Sequence, residues 1–154
     1  MNETISNWAT TISSAVSAMA LIVLVVQARR MAAQTRTLQQ SIAAATSSTL
    51  YQQQQAISEF FFSNDHLRAY FYDGKELQDI DDASRVHAAA EMLLDFFEHI
   101  HIQKNALEPE VYDGWRQFME NMRDRSPVLR LFMQNNNSWY SKALMKELRP
   151  SGGH

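Results

Sequence analysis

Residues 83–106 read ASRVHAAAEMLLDFFEHIHIQKNA. Val86, Ala90, Leu93, Phe97 and Ile100 recur there at i, i+4, i+7, i+11 and i+14, a spacing that lines one face of an α-helix. Asp81 and Asp82 stand just ahead of the run, where N-cap residues belong. Downstream, Glu108-Pro109-Glu110 starts a second helix with proline in its first turn. The expected core stripe of that helix is Val111, Trp115, Phe118 and Met122. Ser126-Pro127 starts a third, short helix through Met133. Asn135, Asn136 and Asn137 interrupt the chain, and residues 139–148 form a last helix. Upstream, residues 58–72 are rich in Phe and Tyr, Asp73-Gly74 reads as a turn, and residues 76–82 form an acidic loop. No stretch alternates with period two, and no internal repeat is evident. The sequence therefore predicts an all-α fold, with a small bundle of four or five helices at its centre.

Composition narrows the function classes. The chain has 154 residues, enough for one core. It holds no cysteine, which excludes disulfides, thiolate metal sites and a cysteine nucleophile. Four glycines and three prolines are too few for a turn-rich β sandwich or a glycine-looped nucleotide fold. A net charge of −3, with no polybasic stretch, argues against a duplex nucleic-acid partner.

The N-terminal part is unlike the rest. No charged residue occurs between Glu3 and Arg29, and the section from Ala15 to Val26 is almost wholly apolar. Extended back to Trp8 it approaches the ~20 residues needed to cross a bilayer. Trp8 suits one interface, and Gln27, Arg29 and Arg30 suit the other. Ser13, Ser14 and Ser17 lower its hydropathy, which keeps a buried helix open as an alternative. A cleaved signal peptide is the other rival, but the segment lacks a basic N-terminal region. Arg29, Arg30 and Arg36 all follow the apolar run. By the positive-inside rule the N-terminus then lies outside and the remainder in the cytoplasm, in a single-pass arrangement. Ala9, Ser13 and Ser17 are spaced for close helix–helix approach in lipid, so a homo-oligomer, dimer or tetramer, is expected.

Residues 31–58 carry Arg36 as their only charge and neither Gly nor Pro. Leu38, Ile42 and Ala45 share one face, a narrow stripe that suits a coiled-coil seam. A flexible polar linker is the alternative. The expected organisation is thus a transmembrane anchor (1–30), a helical stalk (31–58), an all-α cytoplasmic domain (59–149) and a tail (150–154).

Few constellations point to chemistry. Glu98 and His101 have the i, i+3 spacing of carboxylate–histidine metal pairs, but a di-metal bundle needs two such pairs and two further glutamates. A structural histidine explains the pair, and no metal or other cofactor is expected. His87, Glu91, Asp95 and His99 succeed one another at i+4, most simply as a solvated helix face with Glu–His pairing. No nucleophile elbow, phosphate loop or glycine fingerprint occurs, so an enzyme is not expected.

Charge is unevenly spread: residues 59–113 are acidic and residues 115–149 net basic. The basic lobe supplies the candidate ligand site. Arg123, Arg125 and Arg130 flank the helix start at Ser126, and helix N-termini attract anions. Lys142 and Lys146 lie one turn apart, and Trp139 and Tyr140 suit stacking on a nucleobase. Ordinary surface cations and core aromatics are the plain alternative for the same seven residues.

Gln27-Ala28-Arg29-Arg30, Gln34-Thr35-Arg36-Thr37-Leu38, Glu59-Phe60-Phe61-Phe62, Phe96-Phe97-Glu98 and Tyr112-Asp113-Gly114-Trp115 carry a resemblance. In this pattern the chain resembles small bacterial single-pass membrane proteins with an uncharacterised α-helical cytoplasmic domain. That resemblance implies an inner-membrane location and confers no activity. The build is also similar to CRISPR-associated membrane effectors that sense cyclic oligoadenylate, which implies a nucleotide ligand and a role in antiviral defence. The function expected is that of a non-enzymatic membrane effector responsive to an anionic, nucleotide-like ligand. The alternative is a structural adaptor that holds a helical interaction module at the membrane.

Overall fold

The computed structural model describes the backbone of residues 2–78 and 80–149, and the side chains of those residues except 2–18 and 80. Six α-helices follow one another among the described residues: α1 (Asn2–Ser63), α2 (Asp65–Tyr72), α3 (Ile80–Gln103), α4 (Pro109–Arg125), α5 (Pro127–Asn135) and α6 (Lys142–Glu147). Short 3-10 turns at Lys104–Ala106 and Asn137–Trp139 join the later helices. The described residues contain no strand, so the all-α expectation holds.

The chain divides into two compact units, Met1–Ile42 and Ala43–His154. The first holds the N-terminal two-thirds of α1. Its side chains from Met19 to Ile42 are all exposed. Among the described residues no helix has a stretch long and apolar enough to cross a membrane. The side chains of Trp8 to Ala18, the first part of the expected span, lie outside the described residues, as do those of Ala9, Ser13 and Ser17.

The second unit takes in α1 from Ala43 onward, earlier than the expected start at residue 59. Leu50, Ile57 and Phe61 of α1 are buried in its core. The α3 stripe Val86, Ala90, Leu93, Phe97 and Ile100 is fully buried, as its spacing predicts. On α4 the stripe shifts by one residue: Met119 is fully buried, while Phe118 and Val111 pack half-buried at its edge. Trp115 anchors an aromatic cluster, with its ring 5.3 Å from Tyr51 and 5.6 Å from Phe96. Asp73-Gly74 turns the chain after α2. Gly74 has φ of 74°, a left-handed conformation that costs glycine nothing. A Cβ there would also stand 3.3 Å from the Arg125 carbonyl.

Prolines mark the starts of α4 and α5. Ser126 does more than cap. Its Oγ accepts from Leu129 N at 3.0 Å and donates to the Tyr70 carbonyl at 2.8 Å, tying α5 to α2. The last helix is shorter than residues 139–148. Ser141 caps it, its Oγ accepting from Leu144 N at 3.2 Å, and Trp139 belongs to the preceding turn. Six residues make too few hydrogen bonds to hold a helix alone. Side chains of α3 and α4 pin it, and they decide where its lysines stand.

Candidate functional site

Five side-chain contacts fix α6. At its start, Ser141 N and Ser141 Oγ both donate to Glu98 Oε2 of α3, each at 3.2 Å. At its end, Glu147 meets His101 Nδ1 at 2.7 Å through Oε2, and accepts from the Tyr112 hydroxyl at 2.6 Å through Oε1. Burial and the Glu147 carboxylate hold the Tyr112 phenol protonated well above the ordinary tyrosine range. The last carbonyl, that of Leu148, accepts from Arg123 Nη1 at 2.7 Å. Glu98 and His101 thus have separate partners. His99, the end of the other His/Glu run, lies 2.7 Å from Gln53 Oε1 and joins α3 to α1.

Held in this way, α6 forms one wall of a groove of about 800 Å³. The cations lining it are Arg123, Arg130, Lys142, Lys146 and Arg149, and no carboxylate of the described residues lines it. Met133, Met145 and Leu148 give it apolar surface. Lys142, Lys146 and Arg149 follow one another at i, i+4 and i+7, and all three are exposed. None of the three side chains makes a hydrogen bond or ion pair among the described residues.

The two groove arginines have other work. Arg123 is buried, and its Nε donates to Asp124 Oδ1 at 2.7 Å while Nη1 holds Leu148. Arg130 Nη1 donates to the carbonyls of Arg123 and Asp124, closing the C-terminal end of α4 where a cation is favoured. These two residues build the wall, and the three exposed cations line the groove without side-chain partners among the described residues.

The remaining expected residues separate. Arg125 is exposed and does not line the groove. The helix start at Ser126 is not an open anion site, because Ser126 is fully buried and its hydroxyl occupies Leu129 N. Tyr140 borders the groove but is buried. Burial and the carboxylates of Asp95 and Glu91 push its phenol well above the ordinary range. Its hydroxyl is a buried polar atom turned toward the Asp95 carboxylate rather than toward the groove's cations. Trp139, 63% exposed, faces a different cavity of about 580 Å³. There it shares the lining with Leu131, Phe132, Glu76 and Glu91.

Arg149 and the methionine surface were missed from sequence. Arg149 was legible, since it continues the Lys142–Lys146 spacing by one more turn. The groove combines exposed ammonium and guanidinium groups with thioether and aliphatic side chains, a lining that can accommodate an anion with an apolar portion. No family model, curated protein or solved structure matches the chain.

Proposed function

We propose that the chain is a non-enzymatic, membrane-anchored effector whose C-terminal helical unit takes a phosphate-bearing ligand in the α5–α6 groove. One observation carries this reading: Lys142, Lys146 and Arg149 line a groove of about 800 Å³ and their side chains have no partner of their own among the described residues. Arginine and lysine favour phosphate, arginine through paired hydrogen bonds and lysine as a point charge. Nucleotides, including cyclic oligoadenylates, are the ligands to test first, with the base resting on the methionines in place of Trp139. The uncharged run that ends at Arg29 and Arg30 supports the anchor. In this reading the N-terminus lies outside a bacterial inner membrane and the helical unit in the cytoplasm, as the arginines on the C-terminal side of the run suggest. In this role the chain works as a homo-oligomer in the bilayer, and ligand binding alters the packing of its membrane helices in antiphage defence.

The test is a thermal-shift series on the full chain in detergent with mono-, di- and cyclic oligonucleotides. A ligand that binds only the folded state stabilises it by about 2.7 kcal/mol at one hundred times its dissociation constant. A rise in melting temperature supports the receptor. No rise with any phosphate-bearing compound favours the structural adaptor. That alternative draws on the other cavity, where exposed Trp139 and Leu131 offer apolar surface to a protein partner.

A further inference from the structure

Between Arg29 and Ile42 the large apolar side chains are Met31, Leu38 and Ile42, exposed by 66%, 62% and 54%. With Ala28 and Thr35 they fall at alternating steps of three and four: 28, 31, 35, 38, 42. That is the a/d pattern of a coiled-coil heptad, with Ala28, Thr35 and Ile42 at a and Met31 and Leu38 at d. Leu21 and Leu24 continue the same phase toward the N-terminus. Thr35 is compatible with burial, because its Oγ1 donates to the Met31 carbonyl at 2.9 Å and needs no outside acceptor.

The charges respect this seam. Arg29, Arg30 and Arg36 fall at b, c and b, away from the contact face. The flanking e and g positions are Ala32, Gln34, Gln39 and Ser41, all neutral. Partner choice in coiled coils is usually written in e and g charges. A seam without them sets up no repulsion between identical chains and selects no oppositely charged stranger. β-branched Thr35 and Ile42 at a, with Leu38 at d, favour two parallel strands.

We infer that α1 pairs with α1 of a second copy as a parallel, in-register, two-stranded coiled coil along Ala28, Met31, Thr35, Leu38 and Ile42. This deepens the oligomer named above and rests on its membrane anchor. Two heptads are too short to pair strongly when free, and anchoring in one bilayer supplies an effective concentration of order mM. No ligand is required.

The chain holds no cysteine, so single cysteines report cleanly. Thr35→Cys and Leu38→Cys probe the seam, and Ala33→Cys and Gln40→Cys probe the opposite face at f. The full-length variants are oxidised mildly in isolated membranes and run without reductant. Both seam variants are expected to give disulfide-linked dimers at least about tenfold more than the f variants. Equal cross-linking on both faces, or no cross-linking at the seam, overturns the pairing. Cross-linking at only one of the two seam positions overturns the parallel register. Carbonate extraction of the same membranes reports on anchoring separately, so its failure is distinguishable from failure of the seam.

Discussion

His101 Nδ1 stands 2.7 Å from Glu147 Oε2, joining the end of α3 to the end of α6 across 46 residues of sequence. The imidazole is buried, and Tyr112 fills the other carboxylate oxygen. One carboxylate therefore ties three helices at the back of the helix that presents Lys142 and Lys146.

Glu147→Ala leaves the His101 ring and the Tyr112 hydroxyl without their acceptor. A stability loss of about 1–3 kcal/mol is expected, since a buried polar group that loses its partner is costly. Urea unfolding measures it. Glu120→Ala is the control. Glu120 lies 3.7 Å from Arg116 in a partly exposed pair, which contributes at most about 1 kcal/mol.

Alkaline pH should weaken the fold. The phenols of Tyr112 and Tyr140 are both raised above their ordinary value, chiefly by burial. The folded state keeps these protons where the unfolded chain releases them. Their contribution is complete below the unfolded pKa of about 10 and is lost as pH climbs above it. Tyr112→Phe loses about 0.5–1.5 kcal/mol near neutrality with its hydrogen bond, but flattens the alkaline slope. Tyr140→Phe flattens the slope as well, because it removes a phenol held protonated by burial and by the Asp95 and Glu91 carboxylates. Denaturant midpoints from pH 7 to 11 check both variants.

Trp115→Ala removes the ring that Tyr51, Phe96 and Phe118 pack against. A loss of about 3–5 kcal/mol is expected, a large share of the roughly 5–15 kcal/mol that holds an ordinary domain together. Arg125→Ala, at an exposed residue away from both the core and the groove, should stay within about 0.5 kcal/mol. Circular dichroism melts of the two variants side by side give the comparison.

The helices were legible where physics is local. The α3 stripe repeats every 3.6 residues, and Pro109 and Pro127 sit at helix starts because a missing N–H costs nothing there. The α4 stripe drifted to Met119 because tertiary packing chose between adjacent residues of similar spacing. The site was legible in part. Lys142 and Lys146 reach one groove because a helix sets residues four apart on one face. Arg123 was not legible as a wall residue, since its role rests on a carbonyl 25 positions away. Nor was the separation of Trp139 from Tyr140 legible. They lie in an irregular segment where neighbours in sequence diverge, one outward and one into the packing between α3 and α6.

The central claim is that three exposed cations on and beside α6 hold a phosphate-bearing ligand. Isothermal titration of the full chain in detergent with ATP and a cyclic oligoadenylate measures it, at two salt concentrations. The comparison is the triple variant Lys142→Ala, Lys146→Ala, Arg149→Ala, whose stability should stay close to the parent because all three side chains are exposed. The account expects binding by the parent that weakens with added salt, and at least a tenfold loss in the triple variant. Binding that is equal in the two proteins, or absent from the parent for every phosphate-bearing compound, contradicts it.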